Sequence, residues 1–227
     1  MTWSKQKALV RIGNVGLVPI IRTGSAEDAW QAAQAIATAG VGIVEITMGV
    51  PNALEVIERI VTHYGDNVLP GAGTILDPDT CREAISAGAE FIVAPNFDRR
   101  VVEATHQCGK VCIPGALTPT EVLTAHQAGA DMIKIFPCGP VGGPQYIRAL
   151  KGPFPQIDFI PTGGITLDSV PDYIRAGVAA VGVGGNLLAV RASRQGEPDA
   201  IRANARALLA AVRSARTAST CPSEPTQ

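Results

Sequence analysis

The sequence predicts an α/β protein, a single-domain (β/α)8 TIM barrel over residues 1–216 that includes a short N-terminal helix and is followed by a disordered C-terminal tail over 217–227. Three observations predict it. Short β-branched runs recur eight times at intervals of a little over twenty residues, room for a strand, a loop and a helix. Alanine-rich helical patterns lie between them. A chain of 227 residues with 46% apolar composition suits one large domain, and single α/β barrels commonly have this size.

The elements follow in order. Residues 1–7 lead into a short amphipathic segment and lack the long apolar core of a secretory leader. The runs cover 18–22, 43–47, 68–73, 91–94, 111–114, 132–136, 159–161 and 179–183, with helical patterns clearest over 26–39, 53–63, 79–87 and 120–128. Thr118-Pro119-Thr120-Glu121 reads as a helix start, with Thr118 as cap, Pro119 at the first helical position and Glu121 at the third. Arg191, Arg194, Arg202, Arg206, Arg213 and Arg216 alternate with Ala and Leu, as on a solvated terminal helix. The polar residues from Thr217 on carry two prolines and read as disordered. An open dinucleotide-binding sheet is disfavoured, because Val18 to Gly24 contains no G-x-G-x-x-G after the first strand.

Composition excludes several partners. A net charge of -1 and 4% aromatics argue against nucleic acid, and no stretch approaches the ~20 apolar residues that span a bilayer. Cys81, Cys108, Cys112, Cys138 and Cys221 lack paired spacing, and His63, His106 and His126 are scattered, so neither a disulfide framework nor a metal site is expected. Reduced thiols point to the cytoplasm. Small molecules are the expected partners.

Lys134 interrupts an otherwise apolar run, Ala130 to Pro137. An ammonium is costly to desolvate, and a lysine in apolar surroundings tends toward a neutral amine that attacks carbonyls. The bland alternative is a lysine that snorkels or forms a structural ion pair. In a barrel, reactive groups gather at the carboxyl ends of strands, where Arg22, Glu45, Thr47, Thr74, Lys134 and Thr162 stand. Period-two alternation puts Ile43, Glu45 and Thr47 on one face and Met132, Lys134 and Phe136 on another. With Val44, Ile46, Ile133 and Ile135 facing the helices, Glu45 and Lys134 point into one cavity. Gly163-Gly164 and Gly182 to Asn186 read as phosphate-binding turns, against the simpler reading that glycine merely permits tight turns.

Val44-Glu45-Ile46-Thr47, Gly71-Ala72-Gly73-Thr74, Ile113-Pro114-Gly115, Thr118-Pro119-Thr120-Glu121, Lys134-Ile135-Phe136-Pro137 and Pro161-Thr162-Gly163-Gly164 together resemble the KDPG/KHG aldolase family (2-keto-3-deoxy-6-phosphogluconate and 4-hydroxy-2-oxoglutarate aldolases) over roughly residues 10 to 210. The resemblance implies a metal-independent class I aldolase, usually a homotrimer, whose only covalent device is an imine with Lys134. It implies Glu45 as general acid/base, Thr74 as holder of the pyruvate carboxylate, Phe136 as an aromatic wall, and Pro95 and Pro114 as lining of the same mouth. Two departures stand out. Gly49 replaces an arginine common in the family, which makes Arg22 the candidate for the substrate's distal anion. Gly185 replaces a serine of the phosphate turn, with Asn186 beside it. The implied substrate is KDPG, giving pyruvate and glyceraldehyde 3-phosphate; the alternatives are 4-hydroxy-2-oxoglutarate and the galactonate epimer. A sugar-phosphate isomerase or epimerase and a noncatalytic binding barrel are the readings from other classes.

Overall fold

The computed structural model describes residues 3–188 and 197–220. Helix α1 (Lys5–Val15) begins at Ser4, whose hydroxyl accepts from the Lys7 amide, and ends at Gly16 in the left-handed region. There follow β1 (Leu17–Ile21), α2 (Ala26–Thr38), β2 (Ile43–Thr47), α3 (Ala53–Tyr64), β3 (Leu69–Gly73), α4 (Pro78–Ser86), β4 (Phe91–Val93), α5 (Arg99–Gln107), β5 (Val111–Ile113) and β6 (Gly115–Ala116). Then come α6 (Pro119–Gln127), β7 (Ile133–Ile135), α7 (Gly143–Lys151), β8 (Phe159–Pro161), α8 (Val170–Arg175), β9 (Val181–Val183), α9 (Gly185–Leu188) and α10 (Glu197–Thr220). Each expected run overlaps a strand. The fifth strand ends at Ile113, because Pro114 has no amide hydrogen to donate to a ladder, and β6 begins after it.

All strand pairs are parallel, in a six-stranded sheet ordered β5-β4-β3-β2-β1-β9 and a three-stranded sheet ordered β6-β7-β8. Hydrogen bonds also pass between the sheets. Thr162 bridges Gly182, the Ala179 amide donates to the Phe159 carbonyl, and the Asp131 amide donates to the Cys112 carbonyl.

The expected alternation is present. Val44, Ile46, Ile133, Ile135, Val181 and Val183 pack among the helices. Val18, Ile43, Leu69, Phe91, Val111, Met132 and Ile160 form a second cluster on the other face of the strands, joined by Ala8 and Ile12 of α1. The N-terminal helix thereby buries its apolar stripe against this second face of the strands.

The tail reading needs correction. The terminal helix runs past residue 216 to Thr220, while 221–227, including Cys221, lie outside the described residues, as do Arg191 and Arg194. Nor is α10 simply solvated: Ile201, Ala205, Leu208, Leu209 and Val212 are buried. Arg216 donates to the carbonyls of Asn14 (2.7 Å) and Ala179 (2.8 Å), tying the helix to the amino ends of the strands. Alternation of alanine and leucine with arginine conceals a packed stripe, because an arginine stem covers apolar surface while its head finds carbonyls.

The capping box at α6 is complete: Thr118 accepts from the Glu121 amide while the Glu121 carboxylate accepts from the Thr118 amide. Hydrogen bonds from the Thr118 and Leu117 amides hold that carboxyl below the usual range. Thr118→Ala is expected to cost about 1 kcal/mol, read as a lower denaturant midpoint with an unchanged slope.

Candidate active site

The carboxyl ends of the strands surround a cavity of about 660 Å³. Eleven of the residues singled out in the sequence line it: Arg22, Thr74, Pro95, Lys134, Phe136, Thr162, Gly163, Gly164, Gly184, Gly185 and Asn186. They come from β7 itself and from the segments that follow β1, β3, β4, β7, β8 and β9, so strand pairing, not proximity in sequence, brings them together.

Lys134 is the central residue of β7, flanked in register by Gly115 on β6 and Ile160 on β8. It is 7% exposed, and its Nζ lies 5.1 Å from the centroid of the Phe136 ring. Charge over a π face is one of the few stabilising contacts an apolar cavity offers an ammonium. Phe136 itself is 38% exposed and forms part of the cavity wall.

Glu45 stands on β2, flanked in register by Ile20 on β1 and Gly71 on β3. It is 2% exposed, and its Oε1 is buried without a hydrogen-bond partner. Burial pushes its carboxyl above the ordinary range; the charges of Lys134 and then Arg22 pull the other way. Lys134 acts on it through charge and not through a hydrogen bond, so the resting pair is not a contact ion pair. A dry carboxyl within the field of an amine and a guanidinium is suited to moving a proton.

Thr74 follows β3 with φ 62°, in the left-handed region that a β-branched side chain disfavours. Its hydroxyl accepts from Arg22 Nη2 at 3.4 Å. A strained threonine and a guanidinium thus share one side of the cavity. In the turn after β8, Gly163 (φ 88°) and Gly164 (φ 79°) adopt left-handed conformations that a side chain would strain. A Cβ at Gly163 would stand 3.3 Å from the Phe136 ring. Asn186 Nδ2 donates to the Ile165 carbonyl at 2.6 Å, stitching α9 to the turn after β8.

Three of the expected site residues do not line the cavity: Glu45, which is buried on β2, Thr47 and Pro114. The Thr47 hydroxyl donates to the Ile21 carbonyl (3.1 Å), which fastens the end of β2 to β1. Pro114 is buried behind the wall, where its carbonyl accepts the Lys134 amide at 2.9 Å. Both support the site from behind. The sequence reading also missed Ile20, Ile165 and Leu188, which line the cavity. Apolar residues in a strand or turn carry no local sign that they face a cavity and not a core.

Cys81, Cys112 and Cys138 are buried free thiols and Cys108 is an exposed one; burial raises Cys112 to about 12 and Cys138 to about 11. Among the described residues no group of His, Cys, Asp and Glu converges as metal ligands, and no helix is long and apolar enough to cross a membrane.

Comparison with known proteins agrees with this geometry. The family model described as KDPG and KHG aldolase matches residues 10–204. The 2-dehydro-3-deoxy-6-phosphogalactonate aldolase of Escherichia coli (strain K12) is 38% identical over 172 residues, 75% of this chain and 83% of that one. The 2-dehydro-3-deoxy-phosphogluconate aldolase of Dickeya dadantii (strain 3937) is 34% identical over 195 residues, 86% of this chain and 91% of that one. A crystal structure of KDPG aldolase from Legionella pneumophila, with pyruvate captured at low pH as a covalent carbinolamine intermediate, superposes with a TM-score of 0.76 at 26% identity, covering 92% of this chain and 97% of that one. A buried lysine at the cavity, a dry carboxyl and glycine turns at the carboxyl ends of parallel strands thus coincide with a match across most of the chain, and the chain belongs to the KDPG and KHG aldolase family.

Proposed function

We propose that this chain is a class I aldolase that cleaves 2-dehydro-3-deoxy-6-phosphogluconate reversibly to pyruvate and glyceraldehyde 3-phosphate. The observation that carries the reading is the placement of the Lys134 amine at the cavity with the Glu45 carboxyl held dry within its field. The amine adds to C2 of the keto acid, and loss of water from the carbinolamine leaves a cationic imine. Glu45 takes the proton of the C4 hydroxyl, directly or through a water, as the C3–C4 electron pair flows into the imine. The aldehyde departs, and the enamine is protonated at C3 and hydrolysed to pyruvate. No metal is required, since the imine supplies the electron sink.

Thr74 and Arg22 are the proposed anion-binding groups of one side. The sequence makes Arg22 the candidate for the distal anion, but its reach to the Thr74 hydroxyl favours the keto-acid carboxylate for both, and the distal phosphate then falls to Gly163, Gly164 and the Gly184 to Asn186 turn. The Asn186 amide already serves Ile165, so it is a poor substitute for a serine hydroxyl at 185. A Cβ at Gly185 meets open space. Gly185→Ser is therefore expected to fold normally and to lower KM for the phosphorylated substrate about 5-fold, the value of one added hydrogen bond, with no change for an unphosphorylated analogue. Equal efficiency of the parent enzyme on 4-hydroxy-2-oxoglutarate and on the phosphorylated acids would reject the phosphate turn. Comparison of the gluconate and galactonate epimers ranks the remaining alternatives.

The deciding test of the reaction class is borohydride trapping with pyruvate followed by peptide mapping. An adduct on Lys134 is expected; its absence would favour an isomerase or epimerase, which needs no covalent lysine. Closure of the two sheets into one (β/α)8 barrel, with β5 and β6 as a single strand interrupted at Pro114, is part of the same reading and draws on the Thr162–Gly182 bridge. A homotrimer in the cytoplasm is the assembly and location the family resemblance and reduced thiols favour.

A further inference from the structure

We infer that Gly73 is a positioning residue whose missing side chain provides the berth for the Glu45 carboxyl. This rests on the reading of Glu45 as the proton-transfer group. Gly71 and Gly73 lie two apart on β3 and therefore share a face. In register, Gly71 stands between Glu45 on β2 and Phe91 on β4, and Gly73 stands between Thr47 and Val93. The space over Gly71 is filled by the Phe91 ring: a Cβ there would lie 2.2 Å from it. The Glu45 side chain instead leans toward the carboxyl end of the strands and lies over Gly73. A Cβ at position 73 would stand 1.9 Å from Oε1, 2.6 Å from Cδ and 2.9 Å from Cγ.

Backbone conformation does not explain either glycine. Neither has a left-handed φ, and the residue of this segment that does is Thr74. Space is the reason. The two collisions differ in kind, since alanine at 71 would meet a fully buried ring with nowhere to go, whereas alanine at 73 would meet the far end of a flexible side chain. Gly73→Ala should therefore preserve the fold and displace the carboxyl toward the cavity. The charged groups that act on Glu45 are Lys134 on β7 and Arg22 after β1; its strand neighbours Ile20, Gly71 and Gly73, and Phe91, carry no charge. Displacement exchanges a dry setting for a wetter one, so the carboxyl should ionise at lower pH.

The test measures kcat against pH for the parent, Gly73→Ala, Gly71→Ala, Glu45→Asp and the Glu45→Asp/Gly73→Ala pair. Gly73→Ala is expected to lower kcat about 100-fold, the scale of an ångström misplacement, and to move the acid limb of the profile to lower pH. Aspartate, one methylene shorter, withdraws from the new methyl, so the pair is expected to exceed Gly73→Ala in kcat. Gly71→Ala should lose stability yet keep the acid limb. Parent-like kcat and acid limb in Gly73→Ala overturn the proposal, as does a loss with neither a shifted limb nor rescue by aspartate. Stability supplies an independent readout. The fall in unfolding midpoint caused by Gly73→Ala should shrink when Glu45 is already alanine, and an undiminished fall would count equally against the berth. Failure of the underlying reading looks different, because Glu45→Gln would then retain activity whatever Gly73 does.

Discussion

Lys134→Arg and Lys134→Met are each expected to lose aldol cleavage by on the order of 10⁴-fold or more, the scale seen when a covalent nucleophile is removed, and to yield no borohydride adduct with pyruvate. Arginine retains the charge but has no nucleophilic amine, so its inactivity separates covalent from electrostatic roles. Methionine tests the structural alternative. Lys134 is 7% exposed, beside Ile160 and Gly115, and contacts the Phe136 ring without a contact ion pair to Glu45. Replacing an ammonium in that setting by an apolar chain of similar length removes a desolvation cost. The variant should therefore melt no lower than the parent. Melting well below it would mean that Lys134 holds the fold together, and residual adduct formation would place the imine on another lysine.

Glu45→Gln is expected to reduce turnover about 10²- to 10⁴-fold, the range for loss of a general acid/base, while raising thermal stability at neutral pH. The sign follows from linkage. Burial raises the folded-state pKa of Glu45 above that of the unfolded chain, so the native protein keeps a proton that the unfolded chain gives up. Its contribution is most favourable at acid pH and is lost as pH climbs from the ordinary carboxylate range through the raised value. Glutamine cannot ionise, so the gap between the variant's and the parent's unfolding midpoints should widen with rising pH and close at acid pH. A constant gap would mean that Glu45 is not the group titrating. The same ionisation should set the acid limb of the parent's kcat profile, which glutamine removes.

A buried carboxyl that costs stability stands beside another strained feature of this site. Thr74 holds a left-handed φ disfavoured for its side chain, and it lies between the Gly71-Ala72-Gly73 run and the cavity. Such strain persists where the surrounding structure over-determines it, and it clusters at functional sites.

Much of this was legible in the chain. The apolar alternation in 43–47 and 132–136 put Val44, Ile46, Ile133 and Ile135 on the helix-packed face of their strands and Glu45 and Lys134 on the other, because period two is a property of the strand itself. The capping box at Thr118 and Glu121 was readable for the same reason: it is closed within four residues. The sites where reading failed all depend on neighbours remote in sequence. Thr47 occupies a strand end like Glu45, yet its hydroxyl is drawn to the Ile21 carbonyl of the adjacent strand. Pro114 belongs to a motif shared with the family but sits behind the wall that it was expected to form. The arginine-rich C-terminal segment resembled a solvated helix, and its buried stripe emerges only when α2 and α8 are packed against it.

The sequence by itself determined the order of strands and helices, the faces of those strands and the chemical types at their ends, including one amine and one carboxyl that could meet. These are consequences of local periodicity and residue chemistry. Tertiary structure decided which side chains reach the cavity and how each is held. The Glu45 carboxyl lies over Gly73 because Phe91 already fills the space over Gly71, and Arg22 meets Thr74 because β1 and β3 both flank β2. Register and side-chain volume across neighbouring strands make those choices, and no single segment of sequence contains them.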